Sequence, residues 1–161
     1  MLSPKSRGLL PVLFFLGLSL LQAQGGSDGA GSMSITGDKD NPVSFIGMKL
    51  EELIGRFGVP LLVYPARGRE EWQDDVVFVY EQGNFYIYRD RIWQVGLKEA
   101  GGVKLGDPRA VVLLVLGSPG GETRGDSVFY PLNDGAWPLV LRIDFDSDGR
   151  VKAIFIYRSD F

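Results

Sequence analysis

One pattern constrains this chain more than any other, and it occurs twice. The run Gly47-Met48-Lys49-Leu50-Glu51-Glu52-Leu53-Ile54-Gly55-Arg56-Phe57-Gly58-Val59-Pro60 is echoed by Gly106-Asp107-Pro108-Arg109-Ala110-Val111-Val112-Leu113-Leu114-Val115-Leu116-Gly117-Ser118-Pro119, with Gly47 matching Gly106 and no slip between them. Each is a glycine, a helix-compatible segment and then Gly-x-Pro. A glycine takes the left-handed conformation that ends a helix, and a proline two residues on forbids continuation. The pattern therefore predicts two short, clipped helices and suggests a duplicated unit. Leu50, Leu53, Ile54 and Phe57 fall at i, i+3, i+4 and i+7, the spacing of a one-faced helix. The second segment, Ala110 to Leu116, is apolar all round and would suit a strand equally well. Its alignment with the first, and Asp107 read as N-cap with Pro108 at the first helical position, select a helix.

Both helices lead into strand-like sequence. Leu61–Tyr64, Asp75–Tyr80, Phe85–Tyr88 and Ile92–Leu97 come after the first; Ser127–Leu132, Leu139–Phe145 and Val151–Tyr157 come after the second, with turn residues between them. The expected fold class is α+β, a tandem duplication of a helix plus a three- or four-stranded antiparallel meander, with the helices on one face of a shared sheet. The units are expected at 44–99 and 103–161 of a single domain, 44–161. A unit of roughly 60 residues without staples is marginal by itself. Two sharing a sheet bury more, and an antiparallel sheet tolerates one wet face.

The beginning of the chain reads as an export signal. Lys5 and Arg7 precede an apolar run, Leu9 to Leu21, which ends in small residues, with cleavage expected after Ala23 or after Gly25. The run is shorter than the ~20 residues that span a bilayer and contains Pro11, so no stable membrane insertion is expected once the signal (1–23) is cleaved. Residues 24–43, rich in glycine, serine and aspartate, read as a flexible leader. Loss of the two signal cations moves the formal charge from −3 to −5. Such a surface offers no electrostatic footprint for nucleic acid or anionic lipid. The expected location is exported, periplasmic or extracellular.

The chain has no cysteine and no histidine. That removes disulfides, the commonest general base and the commonest metal ligand. A nucleophile would need serine with lysine, or a carboxylate pair. The adjacent acids Glu70-Glu71 and Asp74-Asp75 would point apart on a strand, so no catalytic residue, cofactor or metal is assigned. Asp144-Phe145-Asp146-Ser147-Asp148-Gly149 matches the opening of a calcium loop, but the twelfth position is Phe155 where a glutamate is needed, and Asp-Gly is a preferred hairpin pair. Arg124-Gly125-Asp126 has the form of an adhesive tripeptide and reads as ordinary loop chemistry.

The candidate binding residues are aromatic and apolar. With Arg89-Asp90-Arg91 as a three-residue turn, the two-residue period of strands puts Phe85, Ile87, Trp93 and Val95 on one face, read as core. It puts Tyr86, Tyr88, Ile92 and Gln94 on the other, an amphipathic surface of the kind that supplies binding hot spots. Val111, Leu114 and Val115 form a second candidate, because they occupy the helix surface where the first segment has Glu52, Gly55 and Arg56. An exposed apolar stripe marks an interface, although deeper burial of that helix explains it as well.

Gly47-Met48, a helix ending in Gly58-Val59-Pro60 and a hairpin meander resemble the SmpA/OmlA family of small outer-membrane assembly lipoproteins. The tandem arrangement is similar to the β-lactamase-inhibitor protein fold. The resemblance implies a non-catalytic protein-binding module of the bacterial cell envelope, with another envelope protein as partner and an accessory role in envelope assembly. The alternative it implies is a secreted or periplasmic enzyme inhibitor.

Overall fold

The computed structural model describes residues 41–68, 75–120, 123–133 and 136–161. The export segment, nearly all of the leader, Glu70-Glu71 and Asp74 lie outside the described residues.

A 3-10 turn, Pro42–Phe45, opens the described chain, with the Asn41 side chain accepting from the Val43 N–H at 3.0 Å. Helix α1 spans Leu50–Phe57 and α2 spans Arg109–Leu116. Both stop where glycine permits positive φ, at Gly58 (76°) and Gly117 (77°). The strands are β1 Leu62–Ala66, β2 Asp75–Tyr80, β3 Gly83–Tyr88, β4 Arg91–Leu97, β5 Glu99–Ala100, β6 Val103–Lys104, β7 Ser127–Leu132, β8 Leu139–Phe145 and β9 Val151–Arg158. Seven of them form one sheet in the order β1-β2-β3-β4-β9-β8-β7, and β5 and β6 pair as a separate ribbon. Every pairing is antiparallel.

Alternation sorts the two faces of the sheet. In β8, Leu139, Leu141, Ile143 and Phe145 are buried while Val140, Arg142 and Asp144 between them are not. Phe85, Val95, Ile154 and Ile156 join the buried set from neighbouring strands, and Leu53 of α1 and Val112 of α2 complete one continuous core. Each such side chain contributes roughly 1.5–3 kcal/mol by leaving water. Phe45, Phe57, Tyr80 and Phe85 pack ring to ring under α1, with centroids 5.4–5.7 Å apart. Tyr80 and Tyr130 reach from the core to the helix ends, their hydroxyls donating to the Gly58 and Gly117 carbonyls at 3.1 Å each.

The fold class expected above is corrected. The molecule is mainly sheet: each helix has only eight residues and fully buries only one of them. The strands do not divide into two helix-plus-meander units, because β4 pairs with β9 along Gln94↔Tyr157 to Leu97↔Ile154 and makes a single seven-stranded sheet. The glycine motif has a local meaning instead. The backbone before α1 is clasped by the β3–β4 hairpin, with Gly47 N–H donating to Ile92 O at 2.8 Å and Arg91 donating to Gly47 O at 2.8 Å. The backbone before α2 is clasped by the β8–β9 hairpin, with Gly106 N–H donating to Val151 O at 2.8 Å and Arg150 donating to Gly106 O at 3.0 Å. Both helices begin at the same distance from their clasps, with N-caps two residues after Gly47 and Gly106, and the second starts one residue later than the sequence suggests. Pro108, not Asp107, is the N-cap, while the Asp107 carboxylate accepts from the Lys104 N–H at 2.8 Å.

The edges differ. At one, Leu61 and the β1 residues Leu62, Val63 and Tyr64 are exposed, with Pro65 in the strand; at the other, β7 carries an exposed Pro131. Among the described residues, no helix is long and apolar enough to cross a membrane.

Candidate functional site

The face of the sheet opposite the core carries the site, and a β-bulge decides its composition. The β3–β4 hairpin turns through two residues, Arg89 and Asp90, both at positive φ (47° and 67°), the conformation of a two-residue hairpin loop. Pairing then runs Tyr88↔Arg91 and Ile87↔Ile92, and resumes after a register shift at Tyr86↔Gln94. Trp93 is the extra residue. The three-residue turn expected from the sequence is therefore corrected, and with it two assignments. Ile92 faces the core at 1% exposure and leaves the candidate binding surface. Trp93, expected in the core, turns outward.

Outward-facing Tyr86, Tyr88, Trp93 and Gln94 line a cleft of about 650 Å³, together with Ala66, Arg67, Gly68, Asp75, Arg142 and Phe161. Three aromatic rings define one wall. Trp93 and Phe161 stack at 5.4 Å and 7°, and Tyr88 meets Phe161 edge-on at 5.3 Å and 90°. The Trp93 indole N–H donates to Asp75 Oδ1 at 3.0 Å, which fixes the ring's tilt. Across the sheet, Tyr86 meets Phe155 edge-on at 6.1 Å, and the Arg142 guanidinium lies 4.4 Å above the Phe155 ring. Arg142 Nε comes within 3.2 Å of Asp144 Oδ1 without the alignment of a hydrogen bond, while Ser127 Oγ donates to that same oxygen at 2.6 Å. Gly96, next to Phe155, has no side chain to lift that ring; a Cβ there would lie 3.3 Å from it.

Burial, then the nearby Tyr64 and Asp75, push the Tyr86 phenol up, against an opposing effect of Arg142. Tyr86 therefore stays neutral at ordinary pH and both gives and accepts hydrogen bonds. Gln94, at 8% exposure, is the only buried polar side chain among the described residues. The described lining holds one carboxylate, already engaged by Trp93, and neither serine nor lysine. Its chemistry is stacking and hydrogen bonding.

Of the residues singled out in the sequence, Tyr86, Tyr88 and Gln94 meet in this cleft and Ile92 does not. Val111, Leu114 and Val115 lie on α2, on the core-facing side of the sheet and away from the cleft. Leu114 is 83% exposed, Val115 is also exposed and Val111 is half-buried. Sequence reasoning missed Trp93, Asp75, Arg142, Phe155 and Phe161. The alternation of β8 and β9 contains the signal for Arg142 and Phe155, whereas Trp93 depends on the bulge.

The Asp144 and Asp146 carboxylates of the acidic hairpin are engaged locally. Asp146 Oδ1 accepts from the backbone N–H groups of Asp148 and Arg150 at 3.0 and 2.8 Å, Asp144 turns to Ser127 and Arg142, and among the described residues no three acids converge. Arg124 and Ser127 exchange backbone hydrogen bonds of 3.1 Å, closing Gly125-Asp126 into a tight turn.

No family model matches the chain, and no curated protein matches it. Among the solved structures that resemble the chain are two of low sequence identity. A cysteine-rich secretory protein from Staphylococcus aureus subsp. aureus Mu50 is 15% identical, with a TM-score of 0.47 over 73% of this chain and 46% of that one. An extracellular protein containing a SCP domain from Bacillus anthracis str. Ames is 12% identical, with a TM-score of 0.50 over 80% of this chain and 49% of that one. The chain spans about half the length of these structures. The resemblance to SmpA/OmlA and to the β-lactamase-inhibitor proteins is therefore corrected: the fold is one found in part of a SCP-domain protein.

Proposed function

We propose that this chain is an exported, non-catalytic module that binds another protein of the cell envelope or its surroundings through the open aromatic face. The observation that carries the reading is the cleft itself. Tyr88, Trp93 and Phe161 form an apolar wall beside the polar groups of Gln94, Asp75 and Arg142, on a sheet face that no helix covers among the described residues. Rigid aromatic side chains lose little entropy on contact and dominate binding energy where they cluster. Export rests on the charged, apolar and small-residue order of residues 1–25. The similar Bacillus anthracis protein is itself described as extracellular.

The test is crosslinking in cells, with a photoreactive residue at Tyr88 and, as control, at exposed Glu81 on the β2–β3 turn. The expected result is one captured protein at Tyr88, absent at Glu81 and lost when Trp93 is changed to Ala. No capture at Tyr88 by the folded, exported chain, or equal capture at both positions, refutes the reading.

A further inference from the structure

Gln94 stands at the centre of the sheet, paired across the strands with Tyr86 on one side and Tyr157 on the other. Its side chain is more than nine-tenths buried, yet its carboxamide has no hydrogen-bond partner among the described residues. Neither amide atom is sealed from solvent, so both reach the cleft that the residue lines. Nothing in the fold uses the amide, because the backbone of β4 makes its own ladder bonds on both sides.

A carboxamide presents a donor and an acceptor side by side in one plane. The complementary group offers an acceptor and a donor at the same spacing, and the N–H and C=O of one residue in an extended chain do so, as in any antiparallel bridge. The surroundings fit that occupant. Tyr88, Trp93 and Phe161 form an apolar wall for side chains, and the Arg142 guanidinium supplies further donors across from them. The volume, about 650 Å³, is that of a pocket for a short segment and not for a folded surface.

We infer that the cleft holds one extended, apolar-rich peptide segment of a partner protein, whose central residue pairs its N–H and C=O with the Gln94 carboxamide. The inference rests on the protein-binding reading of the same face and names the form of the ligand.

The experiment selects a phage-displayed library of random linear peptides on the full chain and measures the selected peptides against Gln94→Leu. The expected result is a set of apolar-rich peptides whose affinity falls about tenfold or more in Gln94→Leu, as two lost hydrogen bonds require. The same variant melts at the wild-type temperature or above, since the amide it removes has no partner in the free protein. Gln94→Met, unbranched and close in volume, is the second variant and shows the same pair of effects. Failure to select linear peptides, selected peptides indifferent to both variants, or a lowered melting temperature in both overturns the inference. So does binding of chitotriose that Gln94→Leu abolishes, which would assign the amide to a glycan. Capture at Tyr88 in cells that Gln94→Leu leaves unchanged overturns the extended-peptide inference alone. Absence of any capture there, with peptides still selected in vitro, strikes the cellular reading and leaves the peptide site standing.

Discussion

The exchange of Ile92 for Trp93 at the β3–β4 bulge makes a prediction whose sign depends on the register. Ile92→Ala removes three carbons from a side chain that is 1% exposed and faces Ile87 in the core. At ~0.8 kcal/mol per buried methylene the transfer loss alone is about 2.4 kcal/mol. The cavity adds to it, because the backbone on both sides is pinned: Ile92 O accepts from Gly47 N–H at 2.8 Å, and Ile92 N–H donates to Met48 O at 3.0 Å. A site that cannot collapse falls in the upper part of the range for such truncations, about 3–4 kcal/mol. Trp93→Ala removes a larger side chain but a half-buried one. It forfeits the stack on Phe161, ~0.5–1.5 kcal/mol, and the hydrogen bond to Asp75, about 1 kcal/mol. Urea unfolding followed by far-UV circular dichroism separates the two. With a slope of roughly 1–3 kcal/mol per molar, Ile92→Ala lowers the midpoint by about 1–4 M, and Trp93→Ala lowers it less. Only Trp93→Ala abolishes capture at Tyr88. A loss below about 1 kcal/mol for Ile92→Ala, with the larger loss at Trp93, would mean an unbulged hairpin with a three-residue turn, and would refute the cleft as described.

Other outcomes depend on single contacts. A Cβ on Gly83 would sit 2.5 Å from the carbonyl oxygen of Gly96, backbone against backbone, so Gly83→Ala is expected to cost about 3 kcal/mol or more and to show as a large fall in thermal midpoint. Tyr80→Phe and Tyr130→Phe each remove one hydroxyl bond to a helix-ending glycine carbonyl and cost about 1 kcal/mol apiece in urea unfolding, without altering the cleft. Burial raises the phenols of Tyr80, Tyr86 and Tyr130 above 10.0 in the folded chain. A raised folded pKa means that their contribution is whole below the unfolded value and is lost as pH rises through the folded one. Stability is thus expected to begin falling near pH 10, with phenolate absorbance at these residues appearing only above that pH. Phenolate absorbance at pH 10 equal to that of six free tyrosines, each about half ionised there, in a chain that stays folded would contradict their burial.

How much of the fold was legible in the sequence turns on the distance over which each signal acts. The end of α1 at Gly58 and of α2 at Gly117 was legible, because a glycine at positive φ with a proline two residues on stops a helix whatever surrounds it. The same locality explains the mistaken resemblance. Gly-x-Pro after a short amphipathic run is a capping device open to unrelated folds, and two copies of it do not establish two structural units. What the copies share here is a backbone clasped by a hairpin tip, through Arg91 at Gly47 and Arg150 at Gly106. The inner faces of β7, of β8 and of β9 from Ile154 onward were equally legible from their alternation, which a register shift between β8 and β9 breaks at Val151. The face assignment of β4 was not, since one unpaired residue reverses every side chain before it along the strand and leaves the two-residue period unchanged on either side.

The binding cleft divides in the same way. Tyr86, Tyr88 and Gln94 were recoverable from the sequence because they lie on two strands joined by one turn. Asp75 joins them from β2, the strand beside β3, whereas Arg142 and Phe161 come from β8 and the end of the described chain and meet them only because β4 pairs with β9 at the middle of the sheet. By itself the sequence determined the helix stops, the hairpins, the absence of cysteine and histidine chemistry, and which strand positions alternate. Tertiary structure alone decided the single sheet, the outward turn of Trp93 and the cleft around an unpaired Gln94. Caps and turns are settled by a few neighbouring residues, whereas register and convergence depend on which distant strands bury each other's apolar faces.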